Sequence, residues 1–251
     1  MKYTDKQISK LLYGIFDGTI TEVDLPLDYY NAVVDYLKAG LYKGFGMDLS
    51  QAVGKDLELL TELRENVYMF SAAKTYNEVK EISALLTDGE GVKTFNQFKK
   101  DALSIYETYN VDYLKTEYNT AVGQGTMAVK WNEIEKNKEF LPLLQYSAIG
   151  DACDICGPLD GMVAPVDDPV WDSVMPLNHF NCLCTVLQLD DGNVTEGNAS
   201  LVAGVEEKMQ PLFVNNAGKT GQVFTKDHPY FDADKNLGKN NFGLPIPEND
   251  E

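Results

Sequence analysis

The chain has 251 residues, with 39 acidic and 21 basic side chains, four cysteines and two histidines. That length bounds it to one or two ordinary domains, and 44% hydrophobic with 24% charged residues argues against a disordered or collagenous chain. A net charge of −18, with Arg64 as the single arginine, argues against a protein that lives by neutralising phosphates, whose affinity comes from lysine and forked arginine contacts.

Up to about residue 140 the apolar pattern repeats at helical spacing. Tyr30, Val33, Val34, Leu37 and Leu41 form one stripe, and Leu60, Leu63, Val67 and Phe70 a second. Val79, Ile82 and Leu86 form a third, and Phe95, Phe98, Ala102, Ile105 and Tyr109 a fourth. Each fits an amphipathic helix buried on one side, and each is read as core. Thr94 followed by Gln97 is a capping-box pattern, and Asp88-Gly89 is read as closing the preceding helix. A further helix is predicted over 110–136, with Gly123 and Gly125 either weakening its middle or permitting close packing.

After Pro142 the texture changes. Residues 143–149 and 161–166 are short apolar runs, and 184–189 reads as a strand with Leu187 and Leu189 on one face. From Asp190 the chain becomes polar and loop-like, and 235–251 reads as a tail that orders only against a partner surface. Residues 1–150 hold 22 acids and 16 bases, a net of −6, whereas 151–251 hold 17 and 5, a net of −12. The predicted class is α+β: a helical region over 1–140, a small strand-containing, zinc-stapled Cys/His module over 141–190, and an extended acidic C-terminal segment over 191–251. No stretch is apolar for the length of a membrane span, and residues 1–7 lack a secretory apolar run. The expected compartment is a reducing cytoplasm, where cysteines serve more often as metal ligands or catalysts than as disulfides.

All four cysteines fall between 153 and 184. Cys153-Asp-Ile-Cys156 is a C-x-x-C knuckle followed by the turn residues Gly157-Pro158, and after a gap of 25 residues comes Cys182-Leu-Cys184, preceded by His179. Zinc needs four soft or borderline donors in a tetrahedron, and two close pairs on separate loops supply them at little cost in chain entropy. The candidate ligands are Cys153, Cys156, Cys182 and Cys184, with His179 able to replace one cysteine. A thioredoxin-like pair at Cys153 and Cys156 lacks a preceding βαβ unit, and a Cys–His nucleophile would leave three cysteines without a role. Asp151, Asp160, Asp167, Asp168 and Asp172 are read as turn and cap residues, not as a cation site. Trp171 is read as an anchor packed over the metal loop, and His228 as a surface or contact residue. No catalytic or cofactor-binding residue is assigned.

The strings Asp151-Ala-Cys-Asp-Ile-Cys-Gly-Pro-Leu-Asp-Gly161 and Pro176-Leu-Asn-His-Phe-Asn-Cys-Leu-Cys184 resemble the signature of the phage Mu F-like family of minor head, or head-morphogenesis, proteins. The helical segments 66–74 and 114–121, then Met127-Ala128 and Trp131, are similar to that family's helical region. The resemblance covers residues 5–190. The family commonly has His where this chain has Cys156, an exchange that keeps a metal ligand. It commonly has Arg where this chain has Cys153 and Leu183, so contacts made by those arginines do not carry over. What the resemblance implies is a structural, non-enzymatic protein of a tailed phage or prophage. Its partners would be the portal or the major capsid protein, with packaged DNA a weaker candidate and no membrane. Its place would be the virion or procapsid, reached through the host cytoplasm, and its task head assembly and DNA packaging or delivery. Two other readings compete with it: a cysteine-dependent hydrolase or toxin-like effector, and a nucleic-acid-binding zinc module.

Overall fold

In the computed structural model, residues 3–89, 91–149, 153–232 and 234–249 are described. The chain opens with α1 (Asp5–Asp17), α2 (Leu27–Phe45) and α3 (Lys55–Ser83), then pairs β1 (Thr87–Asp88) with β2 (Gly91–Val92). Next come α4 (Phe95–Glu107), a π-helical turn over Thr108–Tyr113, and α5 (Leu114–Asn137). Strands β3 (Leu143–Ser147), β4 (Val163–Pro165) and β5 (Thr185–Leu189) precede α6 (Asn198–Glu206) and a series of shorter helical turns. The α+β class is therefore as the sequence predicts.

The stripes find their helices. Tyr30, Val33, Val34, Leu37 and Leu41 are buried on α2; Leu60, Leu63, Val67, Phe70, Val79 and Ile82 are buried on α3, which joins the second and third stripes into one helix. That helix ends at Ser83, and Asp88-Gly89 lies in the β1–β2 segment instead of closing it. Thr94 caps α4 with Gln97, as the spacing predicts. Helix α1 was not read from the sequence, although Thr4 and Gln7 form the same reciprocal box.

The segment over 191–251, expected to be extended, is corrected by the structure: it contains α6 and several helical turns and buries Val202, Val205, Met209, Phe213, Phe224 and Tyr230. Its polar composition hides apolar side chains spaced widely enough to escape a periodicity test. The expected partner surface for the tail is supplied by the chain itself. Phe242 packs on Tyr76 at 4.8 Å between ring centroids, and the Tyr30 hydroxyl donates to the carbonyl of Pro245 at 2.7 Å.

By contacts the chain divides into two units. The first comprises residues 1–38, 67–118 and 229–251. Its core holds several buried polar groups. Lys74, 0% exposed, donates to Glu117 Oε1 and to the Tyr109 carbonyl, each at 2.9 Å, and lies 5.0 and 5.3 Å from the ring centroids of Tyr109 and Tyr230. That carbonyl also accepts from the Leu114 N–H, so the π-helical turn places a backbone acceptor where a buried ammonium needs one. Tyr230 donates to the same Glu117 oxygen at 3.2 Å. Close by in the network, Glu78 accepts from the Tyr29 hydroxyl and, at 2.9 Å, from Asn110 Nδ2. Burial pushes the Glu78 carboxyl up to about 7 against the opposing pull of these donors and of Lys74, and burial likewise raises Glu117.

The second unit comprises residues 39–66 and 119–228. Its sheet has the order β4-β3-β5, antiparallel throughout, with Leu144 opposite Ala164 on one side and Gln188 on the other. Alternate residues Leu144 and Tyr146 of β3 and Val186 of β5 face a buried apolar cluster that includes Trp131, Leu159, Trp171 and Leu177. Of the two expectations for the glycines of α5, close packing holds. A Cβ on Gly125 would meet the Leu41 carbonyl oxygen at 2.7 Å, and one on Gly44 the Val122 carbonyl oxygen at 1.9 Å. Only glycine lets these two backbones approach so closely.

Candidate metal centre

Two loops of the second unit carry the five predicted ligands. In the first, Gly157 N–H donates to the Cys153 carbonyl at 2.8 Å and Cys156 N–H to Cys153 Sγ at 3.4 Å, the tight knuckle that C-x-x-C with a following glycine favours. In the second, Cys182 N–H donates to the His179 carbonyl at 3.2 Å. Asn181 between them takes φ +58°, a left-handed conformation that asparagine tolerates better than most side chains. This loop runs directly into β5, so the sheet fixes the position of Cys184.

The ligand atoms converge as two overlapping triads. Those of Cys153, Cys156 and His179 all lie within 4.8 Å of one another, and so do those of Cys156, Cys182 and Cys184. Within the triads, Cys153 Sγ is 3.3 Å from His179 Nε2, and Cys156 Sγ is 3.8 Å from Cys182 Sγ. A tetrahedral ion with Zn–S bonds of about 2.3 Å holds its sulfurs roughly 3.8 Å apart. Cys156 belongs to both triads and is the pivot of the arrangement. All four cysteines are free thiols.

The surroundings suit thiolates. His179 Nδ1 lies 2.9 Å from the Phe180 carbonyl oxygen, which can only accept, so Nδ1 carries the hydrogen and Nε2 presents its lone pair to the cysteines. The backbone N–H groups of Asn178 and Cys184 favour the thiolate of Cys182, and that of Ile149 favours the thiolate of Cys184. The buried Tyr146 hydroxyl, held by Asn178 Nδ2 at 3.0 Å, favours the thiolate forms of Cys156 and Cys184. Such outer donors orient metal ligands and stabilise their charged form. Without a cation the sulfurs compete for protons. The hydrogen bond from Cys156 pulls Cys182 down to about 5, while the same bond, with burial, pushes Cys156 up, and burial raises Cys184. A divalent soft or borderline ion would resolve that competition, and this sulfur-and-imidazole donor set fits zinc and not magnesium or calcium.

Asp160 and Asp168 do the turn and cap work expected of them, whereas Asp167 and Asp172 form ion pairs. Asp160 accepts from Ala148 N–H at 2.9 Å, Asp168 caps the turn at Val170, Asp167 pairs with Lys138, and Asp172 pairs with Lys219. Asp151 lies outside the described residues. Trp171 is fully buried in the same cluster as Cys156, Cys182 and Cys184, its Nε1 donating to the Pro165 carbonyl at 2.9 Å. His228 is buried edge-on against Phe224 at 6.3 Å and is not part of the centre. Tyr146 and Asn178 were missed by sequence reasoning. Tyr146 reads as one more apolar strand residue, and only the pairing of β3 with β5 brings its hydroxyl to the sulfurs.

A helical chain carrying a sheet-backed cysteine and histidine cluster of metal-ligating geometry is the class that fold and site define. Residues 79–187 match the family model described as Phage Mu protein F like protein. The matched stretch is a little under half of the chain and takes in α4, α5, β3, β4, the start of β5 and all five candidate ligands. No curated protein and no solved structure matches the chain. No helix among the described residues is long and apolar enough to cross a membrane.

Proposed function

We propose that the protein is a minor head protein of a tailed phage or prophage, acting in head assembly and in DNA packaging or delivery through contact with the portal or the major capsid protein. The observation that carries this reading is the family match over residues 79–187. The charge supports protein over DNA as the partner, since residues 151–251 carry a net −12 and the scarcity of arginine disfavours phosphate contacts. The role is structural, not catalytic, and zinc at Cys153, Cys156, His179, Cys182 and Cys184 would fix loops too short to build a core of their own. Cryo-EM of intact procapsids and virions carrying this chain tests the assignment. Density for it at the portal or on the capsid interior is expected, and absence from both particles would overturn it.

The 3.3 Å contact of Cys153 with His179 favours one rival, a thiol–imidazole nucleophile. That chemistry uses two residues and leaves Cys156, Cys182 and Cys184 without a task. It requires Cys156, Cys182 and Cys184 to react alike with and without added metal, whereas a metal centre ties their reactivity to metal content.

A further inference from the structure

The centre offers one donor more than a tetrahedral ion accepts, and the five donors are not equivalent. Cys156, Cys182 and Cys184 are 1%, 5% and 8% exposed, and their sulfurs lie within 4.8 Å of one another. They sit with Tyr146 in one buried cluster. Cys153 is exposed and His179 half-buried. Their ligand atoms touch each other at 3.3 Å, and both stay within 4.8 Å of Cys156 Sγ. The bond from His179 Nδ1 to the Phe180 carbonyl keeps Nε2 aimed at the cluster whether or not Cys153 is engaged.

Building on the zinc reading above, we infer that Cys156, Cys182 and Cys184 form a fixed thiolate tripod, and that Cys153 and His179 are alternative occupants of a single fourth position facing solvent. The ion then carries one exchangeable ligand. When His179 Nε2 is bound, Cys153 stands free beside it as an accessible thiol. When the Cys153 thiolate is bound, the imidazole rests against it. Modification of Cys153 therefore leaves the ion in place, because His179 fills the vacated position, and the metal-bound form keeps a single reactive thiol at its surface. This is also why the chain can carry both residues without losing a unique fold: the tripod sets the geometry, and the outer pair completes the shell.

The test uses the full chain loaded with zinc. Iodoacetamide alkylates Cys153, forming a sulfur–carbon bond with release of iodide, and peptide mapping with elemental analysis follows both thiols and metal. The expected result is modification of Cys153 at least about tenfold faster than of the other three cysteines, which exposure and thiolate engagement control, with zinc retained. A chelator then opens Cys156, Cys182 and Cys184 to reagent. In the His179→Ala chain, zinc instead shields Cys153, and forced alkylation expels the ion. Cys153→Ser and His179→Ala each retain stoichiometric zinc, and the double variant loses it. Loss of zinc on alkylation of the unmodified sequence, or in either single variant, would overturn the inference, as would retention after Cys182→Ser or Cys184→Ser. The alkylation arm needs no variant and is independent of any folding defect. An unmodified chain that takes up no zinc contradicts the metal-centre reading itself, a separate outcome read before the others.

Discussion

The two units bury polar chemistry in opposite ways. In the first, Lys74 finds its counter-charge in Glu117, its remaining acceptor in a π-turn carbonyl and two aromatic faces in Tyr109 and Tyr230, all within one unit of the chain. Glu78 completes the arrangement by holding its proton near neutrality. In the second, three buried sulfurs and an oriented imidazole lie close together, with no lysine or arginine among their hydrogen-bond partners in the described residues. The first core is closed by its own side chains, and under the proposed zinc reading the second is completed by an ion from solution. Buried charge therefore makes the first unit sensitive to single substitutions and the second to metal supply.

The largest effect expected is metal removal. Structural zinc sites contribute on the order of 10 kcal/mol of folding free energy, so a chelator should abolish hydrogen-exchange protection around β3–β5 while 67–118 stays protected. Equal loss in both would erase the distinction between the units. Next is Lys74→Met, which strands Glu117 without its partner and should cost about 3–5 kcal/mol in denaturant unfolding. Adding Glu117→Leu should restore much of that loss, because an apolar pair needs no desolvated charge; a double variant as unstable as the single one would contradict this.

The third concerns pH. Because the folded Glu78 carboxyl titrates near 7 and the unfolded one near 4.5, the folded state holds the proton longer. Stability of the first unit is thus fullest below 4.5 and falls as pH rises towards 7, by up to ~3 kcal/mol. The groups facing Glu78 are Tyr29, Asn110, Lys74 and Glu117, and Glu78→Gln should flatten the slope. The cysteine centre moves the other way, since protons compete with metal for thiolates and zinc is lost on acidification. The smallest effect is steric. Gly125→Ala should destabilise the second unit by about 1–3 kcal/mol through overpacking, measured as a shift of the denaturation midpoint, and an unchanged midpoint would show that α2 and α5 can move apart.

Legibility in the sequence followed the range of the interactions. The stripes on α2 and α3 are local repeats, and the cysteine centre combines a rare residue type with short spacings, so both could be read directly. Tyr146 and Asn178 could not, because only strand pairing and a loop 32 residues away bring them together. Lys74 and Glu117 are 43 residues apart, each on a helix where a polar residue reads as solvent-facing. Helix α6 hid in a polar segment because its buried face shows little more than Val202 and Val205.

Zinc content of the purified full-length chain, measured by elemental analysis beside Cys156→Ser, tests the central claim most directly. Cys156 is the residue common to both ligand triads. The account predicts one zinc per chain in the unmodified protein and none in the variant. No zinc in the unmodified protein, or undiminished zinc after Cys156→Ser, would contradict it.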